Sequence, residues 1–105
     1  MVIIETPIFT KRLSIVMTDE EYRLLQIHLI NKPDAGKVIQ GSGGLRKLRW
    51  FAKGHGKSGG VRIIYYWFVD KDTILLLFPY AKNERTDLTS NQLQQLKKII
   101  EGEYL

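Results

Sequence analysis

Cysteine is absent from the 105 residues, which excludes disulfide frameworks, thiolate metal sites and cysteine nucleophiles. Histidine occurs only as His28 and His55, too few to suggest a zinc centre, and no cofactor is expected. No apolar run approaches the roughly 20 residues of a membrane-spanning helix. The N-terminus lacks the charged and apolar regions of a signal peptide, so the expectation is a cytoplasmic protein with no membrane partner. Proline occurs three times, and no linker, repeat or low-complexity tract divides the chain. Residues 1–105 therefore read as one domain, too small for a kinase or a doubly wound dinucleotide enzyme.

The most informative scarcity is local. Between Asp34 and Asp70 there is no acidic residue, while Lys37, Arg46, Lys47, Arg49, Lys53, Lys57 and Arg62 fall in that interval. The remainder of the chain holds nine basic and eleven acidic residues, so the net charge of +5 comes entirely from the middle. A one-sided basic block points to a polyanionic partner. Nucleic acid fits better than a membrane, because the block reads as strand and loop rather than amphipathic helix.

Local signals place the elements. Val2 to Glu5 is β-branched and predicts a strand. Thr6-Pro7 resembles an N-cap with proline at the first helical position, opening a helix near residues 7–16. Thr18 and Glu21 have capping-box spacing for a second helix to about Asn31, with Tyr22, Leu25 and Leu29 on one face. Pro33-Asp34 predicts a further helical turn, ended by Gly41 to Gly44. From Leu45 the period becomes two, with Lys47, Arg49 and Phe51 on one face and Leu48, Trp50 and Ala52 on the other.

A glycine-rich loop over residues 54–60 leads into a strand from Val61 to Val69, with Arg62, Ile64, Tyr66 and Phe68 on one face. Asp70 to Asp72 predicts a hairpin turn, and Thr73 to Pro79 a central strand buried on both sides. Thr89 and Gln92 cap a last helix that Gly102 should stop. The expected class is α+β: N-terminal helices, a small, mainly antiparallel sheet of about four strands, and a C-terminal helix.

Gly54, Gly56 and Gly59 spell G-x-G-x-x-G, but a dinucleotide fingerprint needs a helix after it, and here a strand follows. Gly56-Lys-Ser58 likewise lacks the first glycine and the helix of a P-loop. The loop reads better as a carrier of Lys53, His55 and Lys57 beside the strand bearing Arg62. Phe51, on the face of Lys47 and Arg49, is the candidate for base stacking; the other aromatics and His28 read as packing residues. Tyr80 to Arg85 ends the last strand, where polar side chains can converge beside the basic strands; the plainer alternative for Glu84 and Arg85 is a surface ion pair worth little.

The succession Gly44-Leu-Arg-Lys-Leu-Arg49, Gly56-Lys-Ser-Gly-Gly-Val-Arg-Ile-Ile-Tyr65 and Phe78 to Arg85 resembles the RelE/ParE toxin superfamily, and within it HigB-type toxins of toxin–antitoxin pairs. The resemblance covers nearly the whole chain. It implies a RelE-like microbial RNase fold and cleavage of mRNA in the ribosomal A site. It also implies the ribosome as partner and neutralisation by a cognate antitoxin, expected to carry a helix-turn-helix segment. Arg62 matches the arginine early in the strand after the basic loop, and Lys47 and Arg49 match the alternating cations before it. Lys82-Asn-Glu-Arg85 resembles the K-R-E-R of RelE with Asn83 in place of an arginine; RelE's following tyrosine has no counterpart.

The implied chemistry is a metal-independent endoribonuclease in which the RNA 2′-hydroxyl attacks the adjacent phosphate. Arg62 would stabilise the transition-state charge. Lys57, Lys53 or His55 would be base or acid, crowding by like charges lowering a lysine's pKa, and Lys82 and Arg85 would complete the catalytic set. Arg46, Lys47, Arg49, Phe51, Tyr80 and Asn83 would bind RNA. This requires Arg62 to be accessible and to face Arg49 and the Lys57 loop. A non-catalytic, ParE-like inhibitor of gyrase and a plain RNA-binding module are the alternatives.

Overall fold

The computed structural model describes residues 1–51, 60–85 and 87–104. In chain order these form β1 (Val2–Glu5), α1 (Pro7–Val16), α2 (Asp19–Asn31), β2 (Lys37–Val38), β3 (Arg46–Trp50), β4 (Val61–Phe68), β5 (Thr73–Ala81) and α3 (Ser90–Ile99). The helix starts are those the side chains specify. The Thr6 hydroxyl accepts from the Phe9 N–H ahead of Pro7, and both Thr18/Glu21 and Thr89/Gln92 form reciprocal capping boxes.

Two local expectations are corrected. Pro33 and Asp34 make a turn, not a helix, and the following residues form β2, which pairs with Arg46 and Lys47 of β3. Gly102 does not stop the last helix; a wider π-type turn carries it through Ile100–Tyr104. Ile100 is buried in the core and the Lys71 ammonium donates to the Tyr104 carbonyl, so packing holds this turn in place.

The sheet has five strands, one more than expected, in the order β1-β5-β4-β3-β2. β1 lies parallel to β5, and the other pairs are antiparallel. One face packs on α1 and α2 through Phe9, Leu25, Leu29, Ile63, Tyr65 and Leu76. The other packs on α3 through Leu45, Ile64, Leu75, Leu77, Tyr80, Leu96 and Ile100. β5 is buried on both faces, as its apolar run predicts.

The β4–β5 register shifts between Ile64 and Tyr65, whose partners are Phe78 and Leu76. Leu77 is the extra residue, a bulge after which Phe78 and Tyr80 share the α3 face with Leu75 and Leu77. The bulge aims Tyr80 at the basic strands. Beyond Leu76, β5 has no strand on its β1 side, and α1 covers that edge instead. The Thr6 hydroxyl donates to the Leu77 carbonyl (3.1 Å), and Arg12 Nε donates to that of Pro79 (3.1 Å).

Candidate RNA-binding site

The ends of three strands build the site on the face covered by α3. Arg49 of β3 is the register partner of Arg62 of β4, and Arg62 in turn that of Tyr80 of β5. One step along the sheet, Lys47, Ile64 and Phe78 form the next row. Register partners share a face, so Lys47, Arg49, Arg62 and Tyr80 lie together. The Lys82 N–H donates to the Gly60 carbonyl (3.1 Å), tying the end of β5 to the start of β4. Gly60 has φ +73, and a Cβ there would lie 2.4 Å from the Trp50 carbonyl oxygen, so only glycine lets these strands close up.

Arg62 is nearly covered, at 6% exposure, and its Nη1 reaches the Val61 carbonyl at 3.5 Å. Arg49 and Arg62 are backbone register partners, the Lys57 loop lies outside the described residues, and the expected accessibility of Arg62 is not present. The cause is position: Arg62 stands on a central strand between β3 and β5. Tyr80 is fully buried, so as placed its ring has no surface on which a base could stack. Burial raises the pKa of its phenol, the Asp87 carboxylate adds to this, and the Arg62 and Arg85 guanidiniums oppose it.

A cavity of about 280 Å³ beside Tyr80 is bordered by Ile39, Lys47, Ile64, Asp87 and Leu93. Lys47 Nζ donates to Asp87 Oδ1 at 2.6 Å across it. Asp87 was not among the sequence candidates; it is 40 residues from Lys47, and no spacing pattern connects them.

The other candidates divide. Phe51, at the end of β3, is 72% exposed and free to stack. Lys82 and Asn83 are exposed in the turn after β5. Arg85 turns towards α3, its Cζ 5.4 Å from the Phe78 ring centre. Arg46 points to the opposite face, as its even position in the alternation dictates. It donates to the Gly36 carbonyl (2.8 Å) and lies over Trp67, which separates it from Lys47 and Arg49. Lys53, His55 and Lys57 lie outside the described residues.

Glu84 does not form the alternative ion pair with Arg85. It binds Arg12 Nη2 at 2.6 Å and accepts the Ala81 N–H at 2.8 Å. Burial alone would raise its pKa, but these two donors and the Arg85 charge outweigh that and hold it below the ordinary value of 4.5. His28 is a packing residue, its ring 5.3 Å from that of Trp50. Among the described residues no group of His, Asp and Glu side chains is arranged as a metal site, and no helix is long and apolar enough to cross a membrane.

The family model described as "RelE toxin of RelE / RelB toxin-antitoxin system" matches residues 27–103, and the chain belongs to that family of toxins. The fold is similar to that of the E. coli toxin RelE, solved in the free state as a double arginine-to-alanine mutant. The two superpose with a TM-score of 0.58 at 11% identity over 92% of this chain and 93% of that one.

Proposed function

We propose that the toxin, acting as a single unit over residues 1–105, is an endoribonuclease that cuts translated mRNA on the ribosome. The observation that carries this is the Arg49–Arg62 pair. Like charges directly opposite in a ladder are unfavourable. A phosphate between them converts the repulsion into two charge-assisted contacts. Membership of the RelE toxin family supports the same substrate class.

The reaction uses the substrate's own nucleophile. The 2′-oxygen attacks phosphorus while its proton passes to a base. The bond to the 5′-oxygen breaks and that oxygen takes a proton from an acid, leaving a 2′,3′-cyclic phosphate and a 5′-hydroxyl. Such displacement asks for no metal or cofactor, only a proton acceptor, a proton donor and fixed positive charge. Arg62 is covered in the free protein, so its guanidinium meets the phosphate only once substrate binding uncovers it, and there it supplies that charge at close range. Lys47 and Arg49 hold flanking phosphates, and Phe51 offers a stacking surface. Lys53, Lys57, His55 and Lys82 are the candidates for base and acid, and the ribosome contributes by positioning the message.

The predicted partners are translated mRNA, the ribosome and an antitoxin with a helix-turn-helix segment and an acidic stretch suited to the basic surface. The test is to express the toxin in a translating extract and map mRNA 5′ ends. New ends at defined codons support the proposal, and intact message rejects it. A 2′-deoxy substitution at a mapped nucleotide should abolish that cut.

The cover over Arg62 favours one second reading, inhibition of a protein target such as gyrase without catalysis. A supercoiling assay in the same extract separates the two.

A further inference from the structure

We propose that the polar groove between the β2–β3 loop and α3 is a second RNA-binding site that holds the strand leading away from the scissile linkage. The proposal rests on the nuclease reading above and extends its substrate contacts. The groove has a volume of about 380 Å³, and its walls include Gln40, Gln94, Lys97 and Lys98. Leu93 borders both this groove and the Lys47–Asp87 cavity, so the two are neighbours on the same side of the fold. A strand whose phosphate sits at Arg49 and Lys47 can therefore run on along α3. From Ser90 to Lys98 the helix advances about 12 Å, past the neutral Leu93 and Gln94 to the two lysines at its far end.

The wall chemistry suits nucleic acid. Lys97 and Lys98 are exposed, and the Gln40 and Gln94 amides offer the donor–acceptor pairs that base edges require. Ser42 is committed to the loop: its hydroxyl donates to the Ile39 carbonyl (2.6 Å) and accepts the Leu45 N–H (3.0 Å). The loop thus holds its own shape and leaves the groove open. Gly43, at φ +77, lets the Lys97 stem lie against the backbone; a Cβ there would be 2.8 Å from Lys97 Cε and 3.3 Å from Nζ. This contact sets the Lys97 ammonium at the groove wall. The single carboxylate on the rim is Glu101. The more apolar cavity, bordered by Ile8, Phe78, Leu88 and Ile99 together with Arg85 and Gln92, lies elsewhere.

Lysines in the last turn of a helix also complement its dipole, so the test must separate binding from stability. Full-length Lys97→Gln/Lys98→Gln protein is compared with wild type for binding oligoribonucleotides of three and eight nucleotides, made non-cleavable by 2′-deoxy substitution. The double variant should melt within a few degrees of wild type and bind the trinucleotide equally. It should lose about three- to tenfold in affinity for the octanucleotide, with a shallower salt dependence. Equal losses at both lengths, or none at eight, overturn the proposal, as does wild type that binds neither oligonucleotide. Capture of an acidic peptide through Lys97 and Lys98 with RNA binding intact assigns the groove to a protein partner, also against it. Codon-specific mRNA cleavage by the same double variant shows that only the groove has failed; its absence in wild type shows that the nuclease reading has.

Discussion

Lys47 and Asp87 join the middle of β3 to the segment before α3 through a 2.6 Å ion pair. The carboxylate occupies a cation that the proposed function assigns to an RNA phosphate, so substrate and Asp87 compete. An exposed pair of this kind is worth roughly 0–1 kcal/mol. Asp87→Asn should therefore tighten binding of non-cleavable RNA by up to about fivefold, and Lys47→Met should weaken it. In the Lys47→Met background the Asp87 substitution should have no effect. A double-mutant cycle in equilibrium binding measures this directly.

Gly60 has a positive φ, and its Cα approaches the Trp50 carbonyl at the end of the sheet that carries Arg49 and Arg62. Gly60→Ala combines backbone strain with a steric clash, and should cost about 1–3 kcal/mol or more. Denaturant unfolding reads the loss. Activity should fall further than the unfolded fraction accounts for, because β3 and β4 must separate just where the cations meet.

Arg12 reaches across from α1 to the Pro79 carbonyl and to Glu84, and its Cζ lies 5.0 Å from the Phe78 ring centre. Arg12→Ala should destabilise the fold by about 1–3 kcal/mol. The Glu84 pKa is held below 4.5 in the folded protein. Its contribution is therefore complete above about pH 4.5 and is lost as the pH falls through the folded value. Glu84→Gln should remove that part of the acid dependence, visible as a flatter plot of melting temperature between pH 5 and about pH 3.

Much of the fold was legible because its determinants are local. Thr6-Pro7, Thr18/Glu21 and Thr89/Gln92 each carry a complete helix start within four residues, and alternation assigned both faces of β3 and β4. The same alternation sets Arg46 on the face opposite Lys47 and Arg49, away from the other RNA-binding candidates. What local patterns could not show depends on distant partners. β2 exists because the free edge of β3 pairs with Lys37 and Val38, and nothing within residues 33–41 specifies that edge. The Leu77 bulge hides in an apolar run that fits either face. Glu84 finds Arg12 from 72 residues away. The backbone pairing of Arg62 with Arg49 was readable from their places in adjacent strands, whereas the burial of Arg62 depends on how the whole sheet end closes.

The cations of the middle of the chain, centred on Arg62, are held to stabilise one scissile RNA linkage. The most direct measurement is cleavage of a mapped mRNA site in a translating system by Arg62→Ala and Arg62→Lys proteins shown to be folded by circular dichroism and thermal melting. Loss of a preorganised charge at a developing phosphorane should lower the rate by about 100- to 1000-fold. Lysine should restore little of it, because it lacks the planar fork. Cleavage within a few-fold of wild type by folded Arg62→Ala protein would contradict the account.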